Sequence, residues 1–160
     1  MAEREVLIEV SDLDSRFPER VLRQQGGEAL RACFQCGLCT ASCPVSFIDA
    51  RYSPRRIIKR TLLGMREQVL KDKFIWLCSS CFLCQERCPQ DVRPPEVMTV
   101  LRNLAVSAGI VPPGVSKMVE IFKSTGRLYS IDDFTADERE GIGLPRVKTD
   151  SDMIKRILEE

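Results

Sequence analysis

The residues with the most chemistry to offer are cysteines, because thiolate sulfur is a soft metal ligand as well as a nucleophile. They form two runs of identical spacing. The first is Cys33, Cys36, Cys39 and Cys43, followed by Pro44; the second is Cys78, Cys81, Cys84 and Cys88, followed by Pro89. Both read C-x2-C-x2-C-x3-C-P, the runs lie 45 residues apart, and no cysteine falls outside them. The chain has no histidine, which excludes histidine-ligated haem, Rieske ligation and any catalytic imidazole.

Four thiolates at these spacings suit a [4Fe–4S] cubane. Three ligands at two-residue gaps wrap one face of the cluster with their backbone N–H groups turned towards its sulfides, and the fourth comes less easily from the same tight loop. In two-cluster ferredoxins the fourth cysteine of each run ligates the other cluster. This pattern assigns Cys33, Cys36, Cys39 and Cys88 to one cluster, and Cys78, Cys81, Cys84 and Cys43 to the second. Local ligation, in which each run closes its own cluster, is the open alternative. Structural zinc favours paired C-x2-C knuckles and has no use for a third cysteine three residues later in both runs. Disulfides suit an oxidising compartment, whereas a cytoplasmic location is the default here: no apolar run of signal-peptide or membrane-spanning length occurs.

The elements that position these runs repeat with them. Each run leads through a short loop and a proline into an amphipathic helix. The first helix is predicted from about Pro54 to Leu70, with Ile58, Leu62, Met65 and Val69 as a buried stripe; the second runs from Pro94 to about Ala108, with Val97, Leu101, Leu104 and Ala108 as its apolar face and Gly109 as its stop. Before the runs, Val6 to Val10 reads as a short strand that could pair with Arg146-Val147-Lys148 or with a partner chain. Pro18 suits the first turn of a short helix through Val21 and Leu22, ended by Gly26-Gly27. A further helical piece covers Glu28 to Cys33. Beyond Pro112-Pro113-Gly114 the residues Val115, Met118, Val119 and Phe122 suggest one more helix. Residues 126–148 read as an irregular tail, and Thr149 with Asp152 resembles a capping box before an apolar face of Met153, Ile154, Ile157 and Leu158. The expected architecture is a single mostly α-helical domain, with a two-cluster core at 27–110, an N-terminal extension at 1–26 and a C-terminal extension at 111–160.

The halves are not identical. Gly37 of the first run is replaced by Phe82 in the second. Glycine lets the backbone approach a cluster closely; phenylalanine either shields a cluster from water or fills the core. Solvation and hydrogen bonds to sulfur set reduction potentials, so the two sites are expected to differ. The basic stretch Arg51, Arg55, Arg56, Lys59 and Arg60 either offsets cluster charge, docks an acidic partner, or is a solvated helix face. Trp76 reads as core packing. A formal net charge of +1 and 44% hydrophobic residues describe a globular chain with no general nucleic-acid-binding signature.

The phrases Cys33-Phe34-Gln35-Cys36-Gly37-Leu38-Cys39-Thr40-Ala41-Ser42-Cys43-Pro44 and Trp76-Leu77-Cys78-Ser79-Ser80-Cys81-Phe82-Leu83-Cys84-Gln85-Glu86-Arg87-Cys88-Pro89 carry a family resemblance, with Tyr52-Ser53-Pro54-Arg55-Arg56 and Arg93-Pro94-Pro95-Glu96. Over roughly residues 27–130 the chain resembles the α-helical ferredoxin domain also found in the iron–sulfur proteins of succinate dehydrogenases. In detail it is similar to the HdrC component of heterodisulfide reductases. The resemblance implies an electron-transfer role between a flavin-containing iron–sulfur component and a catalytic component that reduces the disulfide of coenzyme M and coenzyme B in methanogenesis, or a related substrate. A hydrogenase or formate dehydrogenase module is a further implied partner. The catalytic component of that family carries adjacent cysteines; this chain has none, so it is expected to transfer electrons without itself cleaving the disulfide. The rival readings are a freestanding two-cluster ferredoxin and the iron–sulfur protein of another anaerobic dehydrogenase or quinone-interacting complex. The usual dehydrogenase version adds a C-x4-C-x2-C run before the first cubane motif, and the 32 residues before Cys33 contain no cysteine. A regulatory iron–sulfur switch would need a nucleic-acid-binding element, and no helix-turn-helix is evident.

Overall fold

The computed structural model describes residues 8–129, 131–147, 154, 156 and 157. Within them the chain is mostly α-helical and no strand occurs. It divides into two compact units, Met1–Ile110 and Val111–Glu160.

The first unit is built on amphipathic pieces that share one apolar cluster. Helix α1 (Phe17–Leu22) carries Pro18 in its first turn, where a missing N–H costs nothing, and buries Phe17 and Val21. Two very short helices, α2 (Leu38–Ala41) and α3 (Pro44–Ile48), belong to the first cysteine run. Helix α4 (Pro54–Leu62) starts with Pro54 behind a Ser53 cap, whose hydroxyl accepts the Arg56 N–H at 3.3 Å. It buries Ile57, Ile58 and Thr61, and the Thr61 hydroxyl donates to the Ile57 carbonyl at 2.9 Å. Helix α5 (Arg66–Leu70) follows and buries Val69 and Leu70. After α6 (Leu83–Glu86) in the second cysteine run comes the longest element, α7 (Pro94–Ser107), which buries Val97, Met98, Val100, Leu101 and Ala105. Helices α1, α4, α5 and α7 pack on one another. Each fully buried aliphatic side chain contributes about 1.5–3 kcal/mol relative to leaving it in water. Trp76 packs, half-buried, against this cluster.

Four sequence expectations change. The helix predicted over 54–70 is two helices, because the chain turns at Gly64, whose φ is +76° and whose carbonyl accepts the Asp14 N–H at 2.8 Å. A β-carbon at Gly64 would stand 2.6 Å from the Asp14 carbonyl oxygen, so the close crossing of the two segments selects glycine. Met65 and Val69 still join the core across the break, with Leu62 half-buried. The buried face of α7 is rotated from the expected one: Ala108 is exposed and Leu104 half-buried, while Val97 and Leu101 are in the core. The predicted N-terminal strand is not seen where it is described: Ile8 and Glu9 have no regular structure, and Val10–Asp12 is a 3-10 turn. Val6 and Leu7 lie outside the described residues.

The fourth change is in the second unit. There α8 (Pro113–Thr125) ends at Gly126 in the left-handed conformation and buries no residue. The expected irregular tail contains a helix, α9 (Asp133–Gly141), whose start is fixed by Asp132: its carboxylate accepts the Thr135 N–H at 2.9 Å. Only Ala136 of α9 is buried, which is why its apolar periodicity is weak. Ile154 is buried and helical; Thr149, Asp152, Met153 and Leu158 lie outside the described residues. Among the described residues no helix is long and apolar enough to cross a membrane.

Candidate metal centre

The two cysteine runs fold by the same local rules. Each first cysteine follows a 3-10 segment, Leu30–Ala32 before Cys33 and Lys73–Leu77 before Cys78. Between the first and second cysteines, Gln35 (φ 65°) and Ser80 (φ 52°) turn the chain left-handed. Between the second and third, Gly37 (φ 89°) and Phe82 (φ 61°) do so again and cap α2 and α6. Alternating hands of backbone turn successive N–H groups to one side and make an anion-binding concavity. The fourth cysteine then starts the next turn: Cys43 caps α3, and its Pro44 opens that helix.

The eight thiols gather in two apolar cavities. One is lined by Cys33, Cys36, Cys39 and Cys88, the other by Cys43, Cys78, Cys81 and Cys84. Each therefore receives three cysteines from one run and the last from the other. The cavities lie side by side, since α2 packs against α6. None of the eight cysteines is in a disulfide. The donor sets are all sulfur, the choice of ligand that suits iron–sulfur clusters, and the walls are apolar: Ile58 and Val92 in the first, Val45, Pro95 and Met98 in the second. The residues present therefore fit two clusters.

The sites differ in depth and in what surrounds the sulfurs. In the second cavity Cys43 and Cys84 are buried; none of the four cysteines of the first is. Burial, helped by the neighbouring thiols of Cys78, Cys39 and Cys43, pushes the Cys84 thiol up to about 12. Burial also raises Cys39. Such thiols surrender their protons to iron far more readily than to water, so loading the sites releases protons. Buried Tyr52 lines the second cavity beside Cys78; its phenol is raised by burial first and by the nearby cysteines second. In the first cavity the Gln35 amide reaches the Cys33 sulfur at 3.2 Å, and the Val92 N–H reaches the Cys88 sulfur at 3.4 Å.

The remaining sequence candidates separate. Phe82 does not fill the core: it is 48% exposed at the rim of the second cavity. The basic stretch is not one face. Arg51 chelates the Asp49 carboxylate at 2.9 and 2.7 Å and lies over the Phe74 ring; Arg60 pairs with Asp72 at 3.3 Å; Arg56 bonds the Arg51 carbonyl. Arg55 alone of these lines the first cavity. Sequence reasoning missed Arg102. From α7 its guanidinium donates to the Ile75 carbonyl at 2.9 Å and the Cys78 carbonyl at 2.7 Å, which fixes the entry to the second run. The available signal was a single arginine in α7, between Leu101 and Asn103 on a helix with a largely apolar face.

Comparison with known proteins points to a two-cluster protein. A 4Fe-4S dicluster domain family matches residues 29–92. The C component of the H(2):CoB-CoM heterodisulfide,ferredoxin reductase of Methanothermobacter thermautotrophicus is 34% identical over 98% of this chain and 83% of its own length. The iron-sulfur C component of the CoB--CoM heterodisulfide reductase of Methanopyrus kandleri is 33% identical over 98% and 85%. The C component of the Ferredoxin:CoB-CoM heterodisulfide reductase of Methanosarcina mazei is 36% identical over 88% and 86%. With its paired four-cysteine cavities in an α-helical ferredoxin domain, the chain belongs to the HdrC family of heterodisulfide reductases, iron–sulfur electron-transfer proteins that carry two [4Fe–4S] clusters.

Proposed function

We propose that the chain is a fixed relay that passes electrons between a flavin-containing partner and a disulfide-reducing catalytic partner of a heterodisulfide reductase-type complex in the cytoplasm. Cys33, Cys36, Cys39 and Cys88 hold one cluster; Cys78, Cys81, Cys84 and Cys43 hold the other. When bound, a [4Fe–4S] cluster supplies reversible one-electron chemistry. The observation that carries the reading is the pair of adjacent four-cysteine cavities sharing the α2–α6 contact, each with a solvent-facing cysteine, Cys36 or Cys81. Two neighbouring sites with separate openings suit entry of an electron at one side and exit at another. Apolar side chains lining those cavities, Phe34, Leu38 and Phe82, are exposed and supply surface for partner proteins. Every cysteine is committed to a cavity and no two are adjacent, so disulfide cleavage belongs to a partner.

The test is gentle purification of the native protein followed by mass spectrometry and metal analysis. The expected result is co-isolation with a flavoprotein and a second iron–sulfur protein, with eight iron atoms contributed by this chain. A monomer with two clusters and no flavoprotein would overturn the relay and make the chain a diffusible carrier.

A further inference from the structure

One matched pair of positions differs between the two halves in a way that places a cation on the lining of only one cavity; beside the second, the Arg102 guanidinium is spent on the Ile75 and Cys78 carbonyls. Gly37 and Phe82 occupy the same step of the repeat, both left-handed and both capping a short helix. Counted from the prolines that open α4 and α7, Arg55 and Ile58 line the first cavity as Pro95 and Met98 line the second. Arg55 lies over the Gly37 loop: the arginine Cδ and Nη1 stand 3.6 Å from the place a β-carbon on Gly37 would take, contact distance for a β-carbon but no room for a ring. In the second half an aromatic ring hangs from that position, and the residue matching Arg55 is an uncharged proline. Among the described residues no carboxylate pairs with the Arg55 guanidinium, whereas Arg60 is paired with Asp72.

The other asymmetries mostly point the same way. The first cavity is the more open, and two of its sulfurs accept hydrogen bonds, from Gln35 and Val92. The second buries two of its cysteines. An added electron makes a site one unit more negative. A nearby cation, water and hydrogen bonds to sulfur all favour that form, while burial opposes it. We propose that Arg55 is a positioning residue for charge, holding the potential of the Cys33/Cys36/Cys39/Cys88 site above that of its neighbour, so that one electron shared by the two rests at the first. The exchange balances: the second site is oxidised by giving up the single electron that reduces the first, and no proton or further reactant is required. This inference rests on the two-cluster reading above.

The test is a redox titration of the full chain with both clusters loaded, followed by electron paramagnetic resonance, with iron and sulfide counted in every sample. Arg55→Met is expected to cut the equilibrium preference for the higher-potential site about tenfold, a fall of about 59 mV in that midpoint alone. Arg55→Lys, which restores the charge, should recover most of it, and Arg55→Gln, which keeps polarity without charge, should behave as Met does. Unmoved midpoints, or a shift of the lower midpoint alone, would overturn the proposal. So would loss of iron from both neutral variants with retention in Arg55→Lys, because that result makes Arg55 a structural requirement. A wild-type chain that never binds eight irons sinks the cluster reading itself, whereas two clusters insensitive to Arg55 sink only this inference.

Discussion

Phe82 sits where its own backbone least suits it. An aromatic residue in the left-handed region costs about 1–3 kcal/mol, and a ring left half-exposed recovers only part of the about 1.5–3 kcal/mol that full burial would give. Folding alone therefore does not account for the ring; its place at the rim of the second cavity suits a shield that limits water at the sulfurs. The matching Gly37 shows that the loop accepts glycine. Phe82→Gly is accordingly expected to hold its full complement of iron but to lose the second cluster several-fold faster in air, followed as decay of visible absorption. Unchanged bleaching would mean that the ring does not act as a shield. At this scale the eight cysteines were fully legible, because ligand spacing is a property of the sequence itself. The strain at Gln35, Ser80, Phe82, Asp91 and Arg93 was not, because left-handed backbone at a residue other than glycine is imposed by the loop and leaves no mark in residue type.

Elements are held to the sites by a few polar ties laid over apolar packing. Arg102 is the most consequential: half-buried on α7, it satisfies two carbonyls of the segment that delivers Cys78, and hydrogen bonds from a charged donor are worth about 1.5–3 kcal/mol each when intact. Arg102→Met keeps the apolar stem and removes the fork. It should lower stability to denaturant by about 2–4 kcal/mol and reduce iron retention in the second site before the first; equal loss from both would show that Arg102 only supports the fold generally. Helix positions were readable wherever proline or glycine punctuates an apolar stripe, as at Pro18, Pro54, Pro94 and Gly109. The break at Gly64 was not, because 3.6-residue periodicity runs through it: Met65 and Val69 return to the same core after the turn, and the cause is a distant close contact with Asp14. Helix α9 was missed for the opposite reason, having a good Asp132 cap but almost no buried face to announce it.

At the scale of the whole molecule the halves share one apolar core, and the fourth cysteines bear on whether bound clusters also join them. Helices α2 and α6 have four residues each, too short to persist alone, and neither buries a large side chain in the shared apolar cluster. Beyond their packing on α4 and α7, their order is expected to rest on what the thiols bind, while α1, α4, α5 and α7 have a core of their own. Removing iron with a chelator is thus expected to loosen the cysteine loops, read as rapid amide exchange there, and to leave the four core helices protected. If Cys43 and Cys88 are exchanged between sites, each cluster is also a cross-link from one half of the repeat to the other. Cys88→Ser should then alter the spectrum of the cluster anchored by Cys33, Cys36 and Cys39, and Cys43→Ser that of the cluster anchored by Cys78, Cys81 and Cys84. Either variant should weaken the whole repeat, because the lost ligand closes a link between distant segments and not a local loop. Alteration confined to the cluster of the mutated run would instead mean that each run closes on itself; the halves would then be joined by apolar packing alone, and unfolding of one cysteine loop would leave the other intact.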